Sequence, residues 1–225
     1  MIKDLYNLEI LSLDNNKPSC DFLNYLKNYS YPWEILNDIG DIIIKLGSTL
    51  DETYIKRDNN IWISKSATLD DFVKIEGPCI IFDDANIKCF TNIRGNVIVG
   101  KGSSIGTFCE VKNSILLGNT ILGHYNYVGD SILGFNVHLG AQTVLSNLKL
   151  DKSNIIINDI DTKRRKVGAF LGDSVNVGCS CVLNPGVMVG KRTFIYPLNN
   201  VRGIIKEDFI YKSFNNIVKK RPWNL

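Results

Sequence analysis

His124 stands in the segment Gly123-His124-Tyr125-Asn126-Tyr127-Val128-Gly129-Asp130 and is one of only two histidines in 225 residues, the other being His138. An imidazole changes charge near neutral pH, so a histidine set among glycines suits the removal of a proton from a nucleophile. The plainer alternative is a histidine that fills a corner and does no chemistry. Arg94 and Lys112 lie 18 residues apart, each directly after an aliphatic residue, Ile93 and Val111. An arginine fork and a lysine point charge together suit a phosphate. The alternative is a ladder of solvated charges paired with Glu76 or Glu110. Asp130 reads as a residue that satisfies backbone groups at a turn.

The elements that must position these residues repeat every six. Aliphatic residues stand at Ile63, Leu69, Ile75, Ile81, Ile87, Ile93, Val99, Ile105, Val111 and Leu117, and again at Leu171, Val177, Leu183, Val189, Ile195 and Val201. A second register runs two residues ahead, with small or β-branched residues such as Ala67, Val73, Cys79, Ala85, Thr91 and Val97. A period of six is neither that of a helix nor that of a plain alternating strand. It is the hexapeptide repeat of a parallel β-helix, in which three hexads make one triangular coil. Arg94 and Lys112 are then one coil apart, at roughly 4.8 Å, on one outer ridge. Sixteen such positions fall on aliphatics in a chain that is 44% hydrophobic, which chance does not explain.

The rhythm breaks after Leu117. Apolar-glycine pairs follow at Leu122-Gly123, Val128-Gly129, Leu133-Gly134 and Leu139-Gly140, in steps of five and six. A shortened step distorts a corner, and irregularity in a regular scaffold points to function; His124 lies inside it, and His138 is placed to line the same groove. The expected organisation is a helical linker over 1–59, a solenoid of about seven coils over 60–203 with a loop protruding at 148–168, and a C-terminal helical tail over 204–225 that includes Ile217 and Val218 and caps the open end. Within the linker, Cys20 to Tyr29 reads as an amphipathic helix, Tyr31 to Leu36 as a second helical piece, and Asp41 to Leu46 as helix or strand.

A net charge of +3, scattered along the chain, gives no case for nucleic acid. No run approaches a membrane span and no leader is visible, so the expectation is a cytoplasmic protein. Cys79, Cys109 and Cys181 occupy small-residue slots and read as structural thiols. No metal site is expected, since two histidines and no C-x-x-C offer little to zinc.

Taken in order and spacing, Arg94, Glu110-Val111-Lys112, GHYNYVGD at 123–130, NVHLGAQT at 136–143 and Asn147 resemble the acetyltransferase half of the bifunctional glucosamine-1-phosphate acetyltransferase/N-acetylglucosamine-1-phosphate uridylyltransferases. The stretch 164–197 looks most like archaeal members, and YPWEIL at 31–36 is similar to their linker helix. The resemblance implies a left-handed β-helix, a homotrimer with sites between subunits, and acetyl transfer from acetyl-CoA to an amino-sugar phosphate without a metal. It implies His124 as the base, Arg94 and Lys112 on the phosphate, Tyr127, His138 and Asn147 on the sugar, and Ala141, Cys179 and Pro197 along acetyl-CoA. His138 departs from the asparagine usual in the bacterial enzymes. Their downstream lysine has no match, and Lys149, Lys152 or the Lys163–Lys166 cluster is left to supply that cation. The glycine-rich loop of the nucleotidyltransferase half is absent, so no pyrophosphorylase activity is expected, and a separate nucleotidyltransferase is a candidate partner. The alternatives are a degenerate sugar-phosphate or nucleotide-sugar binding or regulatory protein, and an acyltransferase for a nucleotide-linked amino sugar. Carbonic anhydrases on the same repeat need three histidines, one more than this chain has.

Overall fold

A computed structural model of the chain describes residues 2–5 and 25–221. From Ile61 onward the backbone winds as a left-handed parallel β-helix whose short strands stack into three sheets, the faces of a prism. One face begins with the antiparallel strand Tyr54–Arg57 and continues through eight parallel rungs from Ile61–Ser64 to Ile204–Ile205. There are thus about eight coils rather than seven. The chain goes on coiling past Gly203 because Ile205 and Tyr211 still supply inward side chains, both essentially buried.

The six-residue rhythm is the interior of this prism. Ile81, Ile87, Ile93, Val99, Ile105 and Val111 have no exposed surface and belong to one continuous core. The last expected member of the first run is corrected: Leu116, not Leu117, stacks on Val99 below and Leu133 above. Here the coil has 17 residues instead of 18. The shortening sits at one corner, where the 18-residue coil uses two left-handed residues, Gly95 and Asn96, and the next coils use one each, Asn113 and Asp130.

The first face is apolar on both sides. Trp62, Ile80, Ile98, Ile115, Ile132, Phe170 and Met188 point outward from it and are nevertheless buried. Strands buried on both faces read as unbroken apolar runs, and Cys79–Ile81 and Val97–Val99 are such runs. Their cover is local chain. The piece at Tyr31 to Leu36 is a 3₁₀ helix over Glu34–Asn37, and the ambiguous run is an α-helix, Ile39–Gly47. Ile39, Ile42, Ile43 and Leu46 share one helix face, and all four are buried. Gly47 lets the helix lie flat on Trp62, since a Cβ there would sit 2.5 Å from the indole. Half of the helix expected over Cys20 to Tyr29 lies outside the described residues; of the other half, Tyr25 and Leu26 are helical and Lys27 and Asn28 form a turn.

The excursion at 148–168 leaves Leu150 wholly exposed, but it does not simply protrude. A small hairpin, Ile156–Ile157 with Ile160–Asp161, turns Ile155, Ile157 and Val167 onto the covered face. The C-terminal helix is also corrected. Phe209–Ser213 and Asn216–Lys219 form an antiparallel hairpin at the end of the second face. Ile217 and Val218 are β-branched, and the last open rung satisfies its backbone with a strand where a helix offers no ladder bonds. No helix among the described residues is long and apolar enough to cross a membrane.

Candidate active site

Two faces remain open: a second face of two-residue strands, from Thr68–Leu69 to Phe194–Ile195, and a third, charged face from Lys74–Glu76 to Asn200–Val201. His124 lies at the corner between them and is exposed. Backbone bonds define what stacks there. The amides of Tyr125, Gln142, Ser180 and Leu198 donate to the carbonyls of Thr107, His124, Ala141 and Cys179 on the preceding coil, at 3.1, 2.8, 2.8 and 3.0 Å. Thr107, His124, Ala141, Cys179 and Pro197 therefore form one column up the corner. Each is preceded by a residue that must be narrow in the first four coils, and the glycines Gly106, Gly123, Gly140 and Gly178 stand there. At Gly106 a Cβ would collide with the carbonyl of Gly123. Three residues far apart in sequence, Ala141, Cys179 and Pro197, are thus aligned with His124.

Beside this column runs an exposed aromatic stack. Phe72, Phe90, Phe108 and Tyr125 lie ring on ring at 5.4, 5.1 and 5.0 Å between centroids. All four have positive φ, the left-handed turn that the corner requires.

His138 occupies a different face. It sits on the second face between Ile121 and Asn176, one coil beyond His124 and also exposed. Arg94, Lys112, Tyr127 and Asn147 belong to the charged face or its far corner, so the corner at His124 separates the two groups.

On the charged face Lys112 pairs with Gly129 and Glu110 with Tyr127, while Glu76 pairs with Arg94 one coil earlier. Arg94 and Lys112 are successive members of one outer column. The Arg94 guanidinium is bound to Glu110, with 2.7 Å between Nη1 and Oε1, and this contact holds its pKa above the ordinary arginine value. Glu76 is bound to Lys74 at 2.6 Å. Lys112 has no ion pair among the described residues. A half-exposed surface pair contributes little, so Arg94 can exchange Glu110 for a phosphate at small cost.

Tyr127 folds over Gly129. A Cβ at Gly129 would lie 2.6 Å from the Tyr127 hydroxyl and 2.8 Å from Nδ2 of Asn147, so glycine there is what lets these two side chains meet beside the Lys112 column. Burial pushes the Tyr127 phenol above its usual pKa, helped by the charges of Asp130 and Glu110, while the Asn147 amide opposes the shift.

Behind them lies a group that sequence reasoning underrated. Asp130 is buried; its carboxylate accepts from Nδ2 of Asn113 at 2.7 Å and from Nδ2 of Asn147 at 2.6 Å. Its backbone does satisfy a turn, donating to the Lys112 carbonyl at 3.0 Å and accepting from Gly168 at 2.8 Å. Arg164 stands 4.0 Å away with a largely buried guanidinium whose pKa is lowered by that burial. It also binds Asn37 of the covering segment. Of the basic residues in the 148–168 excursion, Lys149 is tied to the Asn154 carbonyl at 2.7 Å, Lys163 to Asp161 at 3.0 Å and Arg165 to the Lys152 carbonyl at 3.0 Å. Arg164 is turned toward the site, and it faces a carboxylate. The signal was present in the sequence: Asn96, Asn113, Asp130 and Asn147 recur at steps of 17.

The family model described as the GMPPB C-terminal domain matches residues 75–167. The Bifunctional protein GlmU of Methanococcus vannielii is 41% identical over 107 residues, which are 46% of this chain and 26% of that protein. The Bifunctional sugar-1-phosphate nucleotidylyltransferase/acetyltransferase of Sulfurisphaera tokodaii is 36% identical over 95 residues, 40% of this chain and 23% of that protein. The chain spans about a quarter of the length of these curated relatives. Among solved structures, the UDP-N-acetylglucosamine acyltransferase from Campylobacter jejuni is 15% identical and superposes with a TM-score of 0.38, covering 66% of this chain and 70% of that one. Over its coils the chain resembles the acetyltransferase half of the bifunctional GlmU proteins, and it carries the hexapeptide-repeat fold of that half.

Proposed function

We propose that this chain transfers the acetyl group of acetyl-CoA to the amine of an amino-sugar 1-phosphate, with His124 as general base. One observation carries the reading: an exposed histidine shares a column with Ala141, Cys179 and Pro197 on one corner, and the adjoining face and its far corner present Lys112, Arg94, Tyr127 and Asn147. The column gives an extended thioester a narrow path of small side chains. The face gives a sugar phosphate its cations and hydrogen-bonding groups.

The chemistry is acyl substitution. A protonated amine has no lone pair, so the amine reacts in its neutral form, having lost one proton to solvent, and His124 takes a second proton from the nitrogen as it attacks the thioester carbonyl. The C–N bond forms, the tetrahedral intermediate collapses, the C–S bond breaks, and the CoA sulfur leaves as a thiol with the proton returned by the imidazolium. Holding both reactants at one corner supplies much of the acceleration. A thiol-release assay with acetyl-CoA against a panel of amino-sugar 1-phosphates and nucleotide-linked amino sugars tests the reading. Thiol release with none of them, alongside tight binding of one, would show a binding protein instead.

Arg94→Ala and Lys112→Ala should each weaken sugar-phosphate binding about ten- to a hundred-fold, as loss of a charge-assisted contact does, and leave acetyl-CoA binding nearly unchanged. Isothermal titration with each ligand separates the two; equal loss of both would make the ridge a scaffold feature. The Lys112 variant should show the larger effect, since Arg94 must first release Glu110.

The working form we propose is a homotrimer. One face is covered by the chain itself, so two flat faces are free for neighbours, and closed cyclic symmetry is the usual outcome. Light scattering should give about three times the 25.3 kDa chain mass. A mass near one chain would contradict it.

A further inference from the structure

We propose that Asp130 is a positioning residue that sets the hydrogen-bond polarity of the sugar pocket, turning Asn147 so that its carbonyl oxygen, and not its amide nitrogen, meets the ligand. The inference rests on the acetyltransferase reading for its ligand and on geometry for its mechanism. A carboxylate only accepts hydrogen bonds. At 2.6 Å from Asp130, the Asn147 atom must therefore be the nitrogen. Its amide also favours ionised Tyr127, as a donor to the phenolic oxygen does. With the nitrogen engaged inward, Oδ1 of Asn147 is the acceptor left for a ligand. The Tyr127 hydroxyl, approached by that donor, keeps its own proton to give. The pocket so polarised fits a ligand that donates a hydroxyl hydrogen to Asn147 and accepts one from Tyr127, beside an anionic group on the Lys112 column.

The device is built to hold one orientation. Asn113 donates to the other carboxylate oxygen at 2.7 Å, and the Arg164 guanidinium stands 4.0 Å from that oxygen as a counter-charge. A protonated or amide side chain at this place would let Asn147 turn over.

The test uses the full chain, with two variants. Asp130→Asn removes the acceptor-only group. Because it leaves Arg164 buried without its counter-charge, Asp130→Asn with Arg164→Gln is made alongside, so that no ion is stranded. The first measurement needs no ligand: the side-chain amide resonances of Asn147, in protein labelled with ¹⁵N-asparagine and assigned by Asn147→Ala. They should be shifted downfield and slow to exchange in the parent chain, and lose both properties in the variants. The second is titration with glucosamine 1-phosphate, its 3- and 4-deoxyfluoro analogues, and acetyl-CoA. The variants should bind glucosamine 1-phosphate about ten- to a hundred-fold more weakly and acetyl-CoA within about twofold of the parent. The penalty for whichever fluorine substitution removes the donated hydroxyl should shrink in the variants, a coupling that a merely structural residue would not produce. Unchanged Asn147 amide signals in the folded double variant would overturn the proposal, as would equal weakening toward both ligands. Amide signals that respond as expected, in a parent chain that binds no glucosamine 1-phosphate, would uphold the positioning role and overturn the substrate reading.

Discussion

Replacing His124 with alanine should lower acetyl transfer about 10²–10⁴-fold, the range that removal of a general base produces, with ligand affinities and assembly nearly unchanged. The reason lies in where His124 stands. Its side chain is exposed at a corner and its carbonyl, not its ring, makes the bond to the next coil, through the Gln142 amide. The corner backbone is already turned by the neighbouring left-handed residue Tyr125 and kept narrow by the glycines, so alanine removes the imidazole and little else. Stopped-flow thiol release reads the chemical step, and titration reads the affinities. His138→Asn is the control: it sits on the second face, one coil away, and should transfer acetyl at close to the parental rate. Near-full activity in His124→Ala would remove His124 as the base, and a collapse in His138→Asn would move the chemistry to the other face.

Phe170→Ala should cost about 3–5 kcal/mol, the usual penalty for truncating a fully buried phenylalanine. Phe170 has no exposed surface although it points away from the prism interior. Its ring lies 6.3 Å from that of Trp33, so it joins the coil to the covering segment. For a chain of this size, 3–5 kcal/mol corresponds to a fall in Tm of roughly 6–20 °C. The same variant should expose the segment around Trp33 to protease before the coil is cut. A loss below about 1 kcal/mol would mean that the cover lies loosely on the face. Intact coil with early cleavage would place the whole loss in the cover.

Much of this architecture is legible from residues alone, because a hexad that faces inward has few alternatives. Ile81 through Val111 are inside for the reason their spacing suggests. The covered face was less visible. Ile80, Ile98, Ile115 and Ile132 lie next to the inward positions and look like added core, whereas they mark a face that another segment must bury. The C-terminal hairpin was missed because Ile217 and Val218 fit a helix as well as a strand until the unpaired rung beneath them is known. At the candidate site, His124, Arg94 and Lys112 stand out in the sequence by type and spacing. Asp130 does not, because its importance comes from two asparagines, each one 17-residue coil away, and from Arg164, none of which a local reading joins.

A triangular prism has three edges, and covering one face spoils two of them. Each of those edges can be approached from one side only, the other side being filled by the helix Ile39–Gly47, the Trp33 segment or the small hairpin at 156–161. The remaining edge has open ground to both left and right, and it is the edge that carries His124. Under the proposed acetyl transfer, the two reactants meet at His124 along this edge, between the faces that the proposed trimer gives to its neighbours. The packing of the first face thereby leaves the single chain one edge with both flanks uncovered.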